Sequence, residues 1–181
     1  MKALKRVFIF IALIGIVSCS SEGNEPDENQ VSDYFITFEV NGEAVTCKDV
    51  LSFDNYGLLA NGIYGAGVVG ANGQSNGTNS GEAILLYMYD TVEITSGKTY
   101  TEAFIPGKYL SGATITYSIS EVGYTSAAPN ISNVSNARIT LTEITSEYAA
   151  GVFSGILVTN NDYNTIAKTI ENGKFKLKIN K

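Results

Sequence analysis

The chain has 181 residues, a net charge of −6, and 44% hydrophobic and 17% charged residues, a composition typical of a globular protein rather than a disordered acidic one. It contains no histidine, which excludes histidine-ligated metalloenzymes and hydrolases with a Ser-His-Asp triad. The excess of acidic residues disfavours nucleic acid as a partner, because such binding requires clustered lysine and arginine.

The first 18 residues have the layout of a secretory signal peptide. Lys2, Lys5 and Arg6 form a short positive segment, and the apolar run at 7–17 follows it. A membrane-spanning helix needs about 20 apolar residues, so this run is too short to span a membrane. Removal of residues 1–18 takes three of the 12 basic residues and none of the 18 acidic ones, and moves the net charge from −6 to −9.

The segment Ile16-Val17-Ser18-Cys19 resembles the lipobox of bacterial lipoproteins. The resemblance implies cleavage before Cys19 and lipidation of that residue, which would anchor the chain in a membrane. Residues 19–32 carry few apolar side chains, so we expect a flexible acidic tether. This stretch also resembles the acidic segment after the lipidated cysteine in surface-exported lipoproteins of Bacteroidota. That implies a surface-exposed outer-membrane protein of the cell envelope.

From residue 33 onward the hydrophobic pattern has a period of two, which indicates strands. Tyr34 to Val40 alternates, Asn41-Gly42 is a favoured two-residue hairpin turn, and Ala44 to Lys48 forms the return strand. Further strands are predicted at Val50–Phe53, at Ile63–Val69, at Glu82–Tyr89, which we expect to be buried on both sides, and at Thr91–Thr95. The polar segment 72–81 is predicted to be a loop.

The second half of the domain continues this pattern. Ile105 to Tyr109 is predicted to be a turn around Pro106-Gly107, and the segment 121–136 a polar connection. Strands are predicted at Ala113–Ser120, Ala137–Thr145, Gly151–Thr159 and Lys174–Asn180, with turns at Ser146–Ala150 and Asn172-Gly173. We therefore predict one all-β domain at 33–181, an antiparallel β-sandwich or barrel of about nine to eleven short strands.

Both ends of this domain resemble uncharacterised small all-β lipoproteins of Bacteroidota. The resemblance rests on the hairpin around Val40-Asn41-Gly42-Glu43, on the G-x-F-S-G strand 151–155, and on the N-G-x-F strand around Asn172. It leaves Leu51 to Arg138 unmatched. It implies a fold and a cellular location, and supplies no catalytic residue.

Three motifs that could carry chemistry have simpler readings. The G-x-G-x-x-G match at 65–70 is followed by a polar segment that cannot build the helix of a dinucleotide site, so we expect a strand with close backbone contacts, or a bulge. Ser154 lacks a histidine base and is displaced from the nucleophile-elbow position. Cys47 alternates with polar neighbours and is predicted to be a buried, inert thiol.

Carboxylates could still provide acid and base catalysis without imidazole. The candidates in the domain are Glu82, Asp90, Glu93, Glu102, Glu121, Glu143 and Glu147, and nothing in the sequence pairs any two of them. Calcium ligands are present only as partial patterns at Asp49, at Asp54-Asn55 and at 160–162. We expect neither a catalytic residue, nor a cofactor, nor a metal site.

Tyrosine is the chief aromatic residue, and tyrosines on a β-surface can stack on sugars or anchor a protein partner. The candidates near predicted loops are Tyr56, Tyr64, Tyr100, Tyr124 and Tyr163. Asp90-Thr91-Val92 resembles the short O-glycosylation acceptor of Bacteroidota, which implies a glycan on Thr91.

The sequence therefore predicts a non-enzymatic, lipid-anchored binding or interaction module whose partners are the membrane, through Cys19, and a glycan or protein ligand. Two alternatives stay open. One is a carboxylate-dependent, glycosidase-like hydrolase, and the other is a purely structural envelope protein.

Overall fold

The computed structural model describes residues 33–59, 62–73, 81–101, 104–105, 108–109, 111–126, 134–159 and 161–179. The predicted signal peptide 1–18, the lipidation site Cys19 and the tether to residue 32 lie outside the described residues. Residues 32–181 form one compact unit. Among the described residues there is no helix long and apolar enough to cross a membrane.

The described chain is all-β, as predicted. Its strands, in chain order, are β1 Phe35–Val40, β2 Glu43–Cys47, β3 Val50–Leu58, β4 Tyr64–Asn72, β5 Glu82–Asp90, β6 Thr99–Thr101, β7 Phe104–Ile105, β8 Lys108–Tyr109, β9 Gly112–Ile119, β10 Val122–Thr125, β11 Asn136–Ile144, β12 Tyr148–Thr159 and β13 Lys168–Lys178.

Eleven of these strands form a single antiparallel sheet with the order β2-β1-β13-β12-β10-β9-β5-β4-β3, and β11 joins β12 to β6 beside this path. A parallel bridge between Phe53 and Ile179 brings β3 back to the end of β13, so the sheet curls into a nearly closed, barrel-like shape. We call β2, β1, β13, β12, β11 and β6 the first half-sheet, and β10, β9, β5, β4 and β3 the second half-sheet.

The hydrophobic core lies between the two half-sheets. Alternate residues of each strand point inward, as the period of two predicts. The first half-sheet supplies Ile36, Phe38, Ile139, Phe153 and Phe175, among others. The second supplies Phe53, Val68, Ile84, Leu86, Met88 and Ile115, among others, and these side chains are at most 3% exposed in both half-sheets. The outward residues of each half-sheet are therefore the surfaces available for function.

The first hairpin has the predicted turn. Asn41 and Gly42 both have positive φ, 52° and 85°, and Val40 pairs with Glu43 across them. This is the geometry for which an Asn-Gly pair is favoured, because both residues tolerate left-handed backbone. The predicted turn at Pro106-Gly107 is also flanked by paired strands, β7 and β8, although these two residues are outside the described ones.

The prediction of a turn at Asn172-Gly173 was wrong. These residues lie inside β13, which pairs with β1 on one side and with β12 on the other. The register shifts by one residue against both neighbours at this point, and Asn172 has φ of 52°. An Asn-Gly pair has thus produced a β-bulge in a continuous strand, because a bulge also requires left-handed backbone.

Other strand predictions need correction. Thr91–Thr95 is not a strand, and Tyr148–Ala150 belongs to β12 rather than to a turn. The predicted connection 121–136 contains β10, which pairs with β9 through the tight turn at Ser120 and Glu121. The physical reason is that β10 packs its one large ring, Tyr124, on the core and otherwise lacks an apolar run.

Candidate ligand-binding surface

The outer face of the second half-sheet carries two half-buried aromatic rings on β5. The sequence suggested burial on both sides for this strand, but Ile84, Leu86 and Met88 point into the core, and Tyr87 and Tyr89 point outward. The two outer rings are half-buried, with centroids 6.2 Å apart and planes inclined by 29°. Leu85, in the same outward row, is 42% exposed. We call the outer side of β3, β4, β5 and β9 around these rings the tyrosine face.

Glycines on the neighbouring strands let both tyrosine rings lie down on the sheet. Tyr87 pairs with Gly67, and a Cβ built on Gly65 would lie 2.8 Å from the Tyr87 hydroxyl oxygen. On the other side, Tyr89 pairs with Gly112, where a Cβ would overlap the Tyr89 hydroxyl. Each ring therefore reaches over a glycine of the neighbouring strand, and the Leu59 side chain shares the space over Gly65. The Gly-rich motif at 65–70 lies in a strand, as predicted, but its glycines make room for side chains rather than for a neighbouring backbone.

Polar side chains border the rings on β3 and β9. Asp54 pairs with Gly67, and its carboxylate accepts a hydrogen bond from the Ser52 hydroxyl. Asn55 has φ of 54°, and its amide nitrogen lies 4.0 Å from the position of a Cβ on Gly67. Thr114 stands opposite Tyr87 on β9. Burial raises the pKa of the Tyr87 hydroxyl, so this group stays protonated and can donate a hydrogen bond.

The five predicted binding tyrosines do not form one surface. Tyr100 is fully buried and accepts a hydrogen bond from the Thr95 amide over 3.3 Å, so its ring belongs to the core. Tyr64 and Tyr124 are partly buried against the core. Tyr56 is 37% exposed and donates to the Ile94 carbonyl over 3.2 Å, and Tyr163 is half-buried. The pair that lies together on the outer face, Tyr87 and Tyr89, was not among the predicted candidates.

The candidate carboxylates lie at several places in the structure, and Glu143 and Glu147 both act on the same neighbour, Tyr148. Glu82 and Asp90 stand at opposite ends of β5, eight residues apart, which corresponds to about 27 Å along a strand. Glu82 accepts a hydrogen bond of 2.5 Å from Tyr117, whose pKa is raised by burial and by this bond. Glu143 accepts a hydrogen bond from Tyr148. Glu102 lies outside the described residues.

Asp90 has a structural role beside the candidate glycosylation site. The residue is 3% exposed and forms an ion pair with Lys98. Its other oxygen accepts hydrogen bonds from the amides of Thr91, at 2.8 Å, and Val92, at 3.4 Å. Thr91 itself is exposed in the connection between β5 and β6. The threonine is thus presented on a turn that its own neighbouring carboxylate holds in place.

Cys47 is buried, as predicted, at 2% exposure. Its sulfur lies 2.9 Å from the position of a Cβ on Gly70, which explains why β4 has a glycine there. Burial raises the pKa of this thiol to about 12, and the nearby carboxylates of Glu82 and Asp49 act in the same direction. The thiolate that nucleophilic chemistry requires is therefore strongly disfavoured.

In two of the partial calcium patterns, the aspartate carboxylates accept hydrogen bonds from backbone amides. Asp49 accepts a hydrogen bond from the Gly73 amide over 2.6 Å, and Asp162 accepts from the amides of Asn164 and Thr165. A hydrogen bond from the Thr165 side chain, together with those from the two amides, lowers the pKa of Asp162. Across the described ranges, no three acidic, cysteine or histidine side chains lie together as a metal site would need.

Comparison of the chain with protein-family models, with curated proteins and with solved structures gave no match.

Proposed function

We propose that this protein is a lipid-anchored binding module of the bacterial cell envelope that holds a neutral glycan on its tyrosine face. The anchoring part of the proposal is supported by the lipobox-like segment ending at Cys19 and by the acidic stretch after it. The binding part is supported by one observation. The rings of Tyr87 and Tyr89 are nearly parallel and lie over glycines of the neighbouring strands.

The arrangement suits a sugar for a chemical reason. A pyranose ring has an apolar face of C–H groups and an edge of hydroxyl groups. An aromatic ring lying flat on a sheet offers a matching apolar surface, and a few polar groups beside it fix the orientation of the ligand. Asp54, Asn55 and Thr114 supply an acceptor, an amide and a hydroxyl beside Tyr87. The centroid separation of 6.2 Å suits rings that contact adjacent sugars of a chain.

The test is calorimetric titration of the full chain, in detergent micelles, with cellohexaose, xylohexaose, mannohexaose and laminarihexaose. We expect at least one of these neutral oligosaccharides to bind. The double variant Tyr87→Ala/Tyr89→Ala should weaken that binding by about a hundredfold, since a stacked ring contributes on the order of 1.4 kcal/mol, which is tenfold.

The matched control is Tyr148→Ala/Tyr163→Ala, which removes two partly exposed rings outside the tyrosine face and should change the affinity less than twofold. Equal losses in both double variants would contradict the assignment to this face, and so would an absence of binding to the whole panel.

The anchor is tested separately by fractionation of the native host, in which Cys19→Ala should release the protein from the membrane fraction. Intact mass from the same host tests the glycan on Thr91.

A further inference from the structure

The outer face of the first half-sheet contains a depression of about 340 Å³ that is distant in sequence from the tyrosine face. Its lining includes Arg138 and Thr140 on β11, Val152 and Ser154 on β12, and Asn172 and Lys174 on β13. This volume is within the range of small-ligand sites. The bulge at Asn172 borders the depression and interrupts the regular rows of side chains there.

The two cations stand on opposite sides of the depression. Arg138 pairs with Ser154, and Lys174 pairs with Val152, so β12 separates them. Adjacent strands are about 4.8 Å apart, which places the backbones of β11 and β13 about 10 Å from each other. Both side chains line the same concavity, so one ligand of the size of a sugar can be contacted from both sides.

Arg138 and Lys174 bring two positive charges to the lining of this depression, and Glu39 and Glu171 lie beside it on β1 and β13. In the part of the chain that the structure describes, neither Arg138 nor Lys174 has a carboxylate partner, and no carboxylate lines the depression. Lys176 and Lys178 extend the positive charge along the same side of β13. The chain as a whole has a net charge of −6, so a positive concavity here is a local feature and not a result of composition.

We propose that this depression binds the carboxylate of an acidic saccharide. An arginine provides a planar pair of donors that matches a carboxylate, and the lysine adds a second cation. Between them lie the Ser154 hydroxyl and the Asn172 amide, which suit the hydroxyl groups of a sugar, and Val152, which is 42% exposed, forms an apolar contact. The backbone groups of β12 are already paired with β11 and β13, so recognition there depends on side chains.

The experiment is calorimetric titration of the full chain, in detergent micelles, with trigalacturonic acid and with its neutral methyl ester. We expect the acid to bind and the ester to bind at least tenfold more weakly. Arg138→Gln/Lys174→Gln keeps both stems but removes both charges, and should weaken binding of the acid by about a hundredfold, because each charge-assisted contact contributes about tenfold. Arg138→Lys, which keeps the charge but loses the paired donors, should fall between these values.

The control variant Lys48→Gln/Lys168→Gln makes the same change of charge outside the depression and should keep the affinity within twofold. Tyr87→Ala/Tyr89→Ala should also bind trigalacturonic acid normally, so this site and the proposed neutral-glycan site can fail separately. Three results would overturn the proposal. They are equal binding of acid and ester, equal losses of affinity in Arg138→Gln/Lys174→Gln and in the control variant, or binding to phosphatidylglycerol vesicles without any to trigalacturonic acid.

Discussion

The two half-sheets use glycine in the same way but on opposite sides. In the first half-sheet the glycines point inward and make room for phenylalanine. A Cβ on Gly151 would lie 2.6 Å from the Phe175 ring, and one on Gly173 would lie 2.6 Å from the Phe153 ring. These rings are at most 3% exposed, and their centroids are 6.5 Å apart in the core.

In the second half-sheet Gly65 and Gly112 point outward, and the rings beside them are tyrosines. Gly65 and Gly112 lie beneath Tyr87 and Tyr89, which remain half-exposed. A phenylalanine ring has no polar group and is most stable when fully buried, whereas tyrosine can keep its hydroxyl in water while one ring surface packs. The same local packing therefore builds a core in one half and a contact surface in the other.

The largest expected effect on stability is that of removing one of the buried phenylalanine rings of the first half-sheet. Phe153→Ala removes a ring packed between Phe38 and Phe175, and should lower the free energy of unfolding by about 3–5 kcal/mol. Tyr87→Ala should cost about 1 kcal/mol, since its ring is only half-buried. Urea unfolding followed by circular dichroism measures both. Similar costs for the two variants would mean that Tyr87 belongs to the core.

A smaller loss is expected from filling the space beneath an inner ring. Gly173→Ala would place a Cβ 2.6 Å from both the carbonyl oxygen and the ring of Phe153, and the backbone atom cannot move aside. We expect a cost of about 2 kcal/mol, measured as a lower thermal midpoint. Gly123→Ala is the control, because its Cβ would meet no atom within 4 Å and should change stability by less than about 0.5 kcal/mol.

The third effect depends on pH and concerns Cys47, whose buried thiol packs against Gly70 of β4. Its pKa is about 12 in the folded chain against an ordinary value of 9.0. Stability from this difference is complete below pH 9 and declines as the pH rises toward 12, because the unfolded chain then loses the proton first. Urea unfolding between pH 8 and pH 11 should show this decline, at most about 1.4 kcal/mol per pH unit. In Cys47→Ala the free energy of unfolding should depend less on pH over this range. An unchanged slope in this variant would show that the Cys47 thiol is not the cause of the decline.

The smallest effect on stability is expected from a change at the outward glycines beside Tyr87 and Tyr89. Gly112→Ala would displace the far end of the Tyr89 side chain, which can turn away, so the cost should be below about 1 kcal/mol. The neutral-glycan affinity, however, should fall several-fold, because the ring can no longer lie on the sheet. Calorimetry and thermal unfolding of the same sample separate the two quantities. Unchanged affinity would show that the position of the Tyr89 ring does not matter for binding.

The period of two was enough to predict an all-β antiparallel domain, and the Asn41-Gly42 hairpin was predicted because its chemistry is local. The tyrosine face was missed for a physical reason. In β5 both alternating rows are apolar, so the sequence does not indicate which row is inside. The signal that distinguishes them is Gly65 and Gly67 on β4, and it becomes readable only when the pairing of β4 with β5 is known.

The cationic depression was equally inaccessible from sequence. Arg138, Ser154 and Lys174 are far apart along the chain, and only the register of β11, β12 and β13 brings them together. The same strands also explain the misread Asn172-Gly173 pair. An Asn-Gly pair marks left-handed backbone, which occurs both in a hairpin turn and in a bulge, and the choice between them is made by the strands on either side.

Strand β12 gives the molecule a property that neither surface has alone. Its first part pairs with β11 and β13, and its last residues, Val158 and Thr159, pair with β10. One continuous segment of backbone thus belongs to both half-sheets. We therefore expect the two half-sheets to unfold together, and a truncation or proteolytic cut within β12 to disrupt both the tyrosine face and the cationic depression.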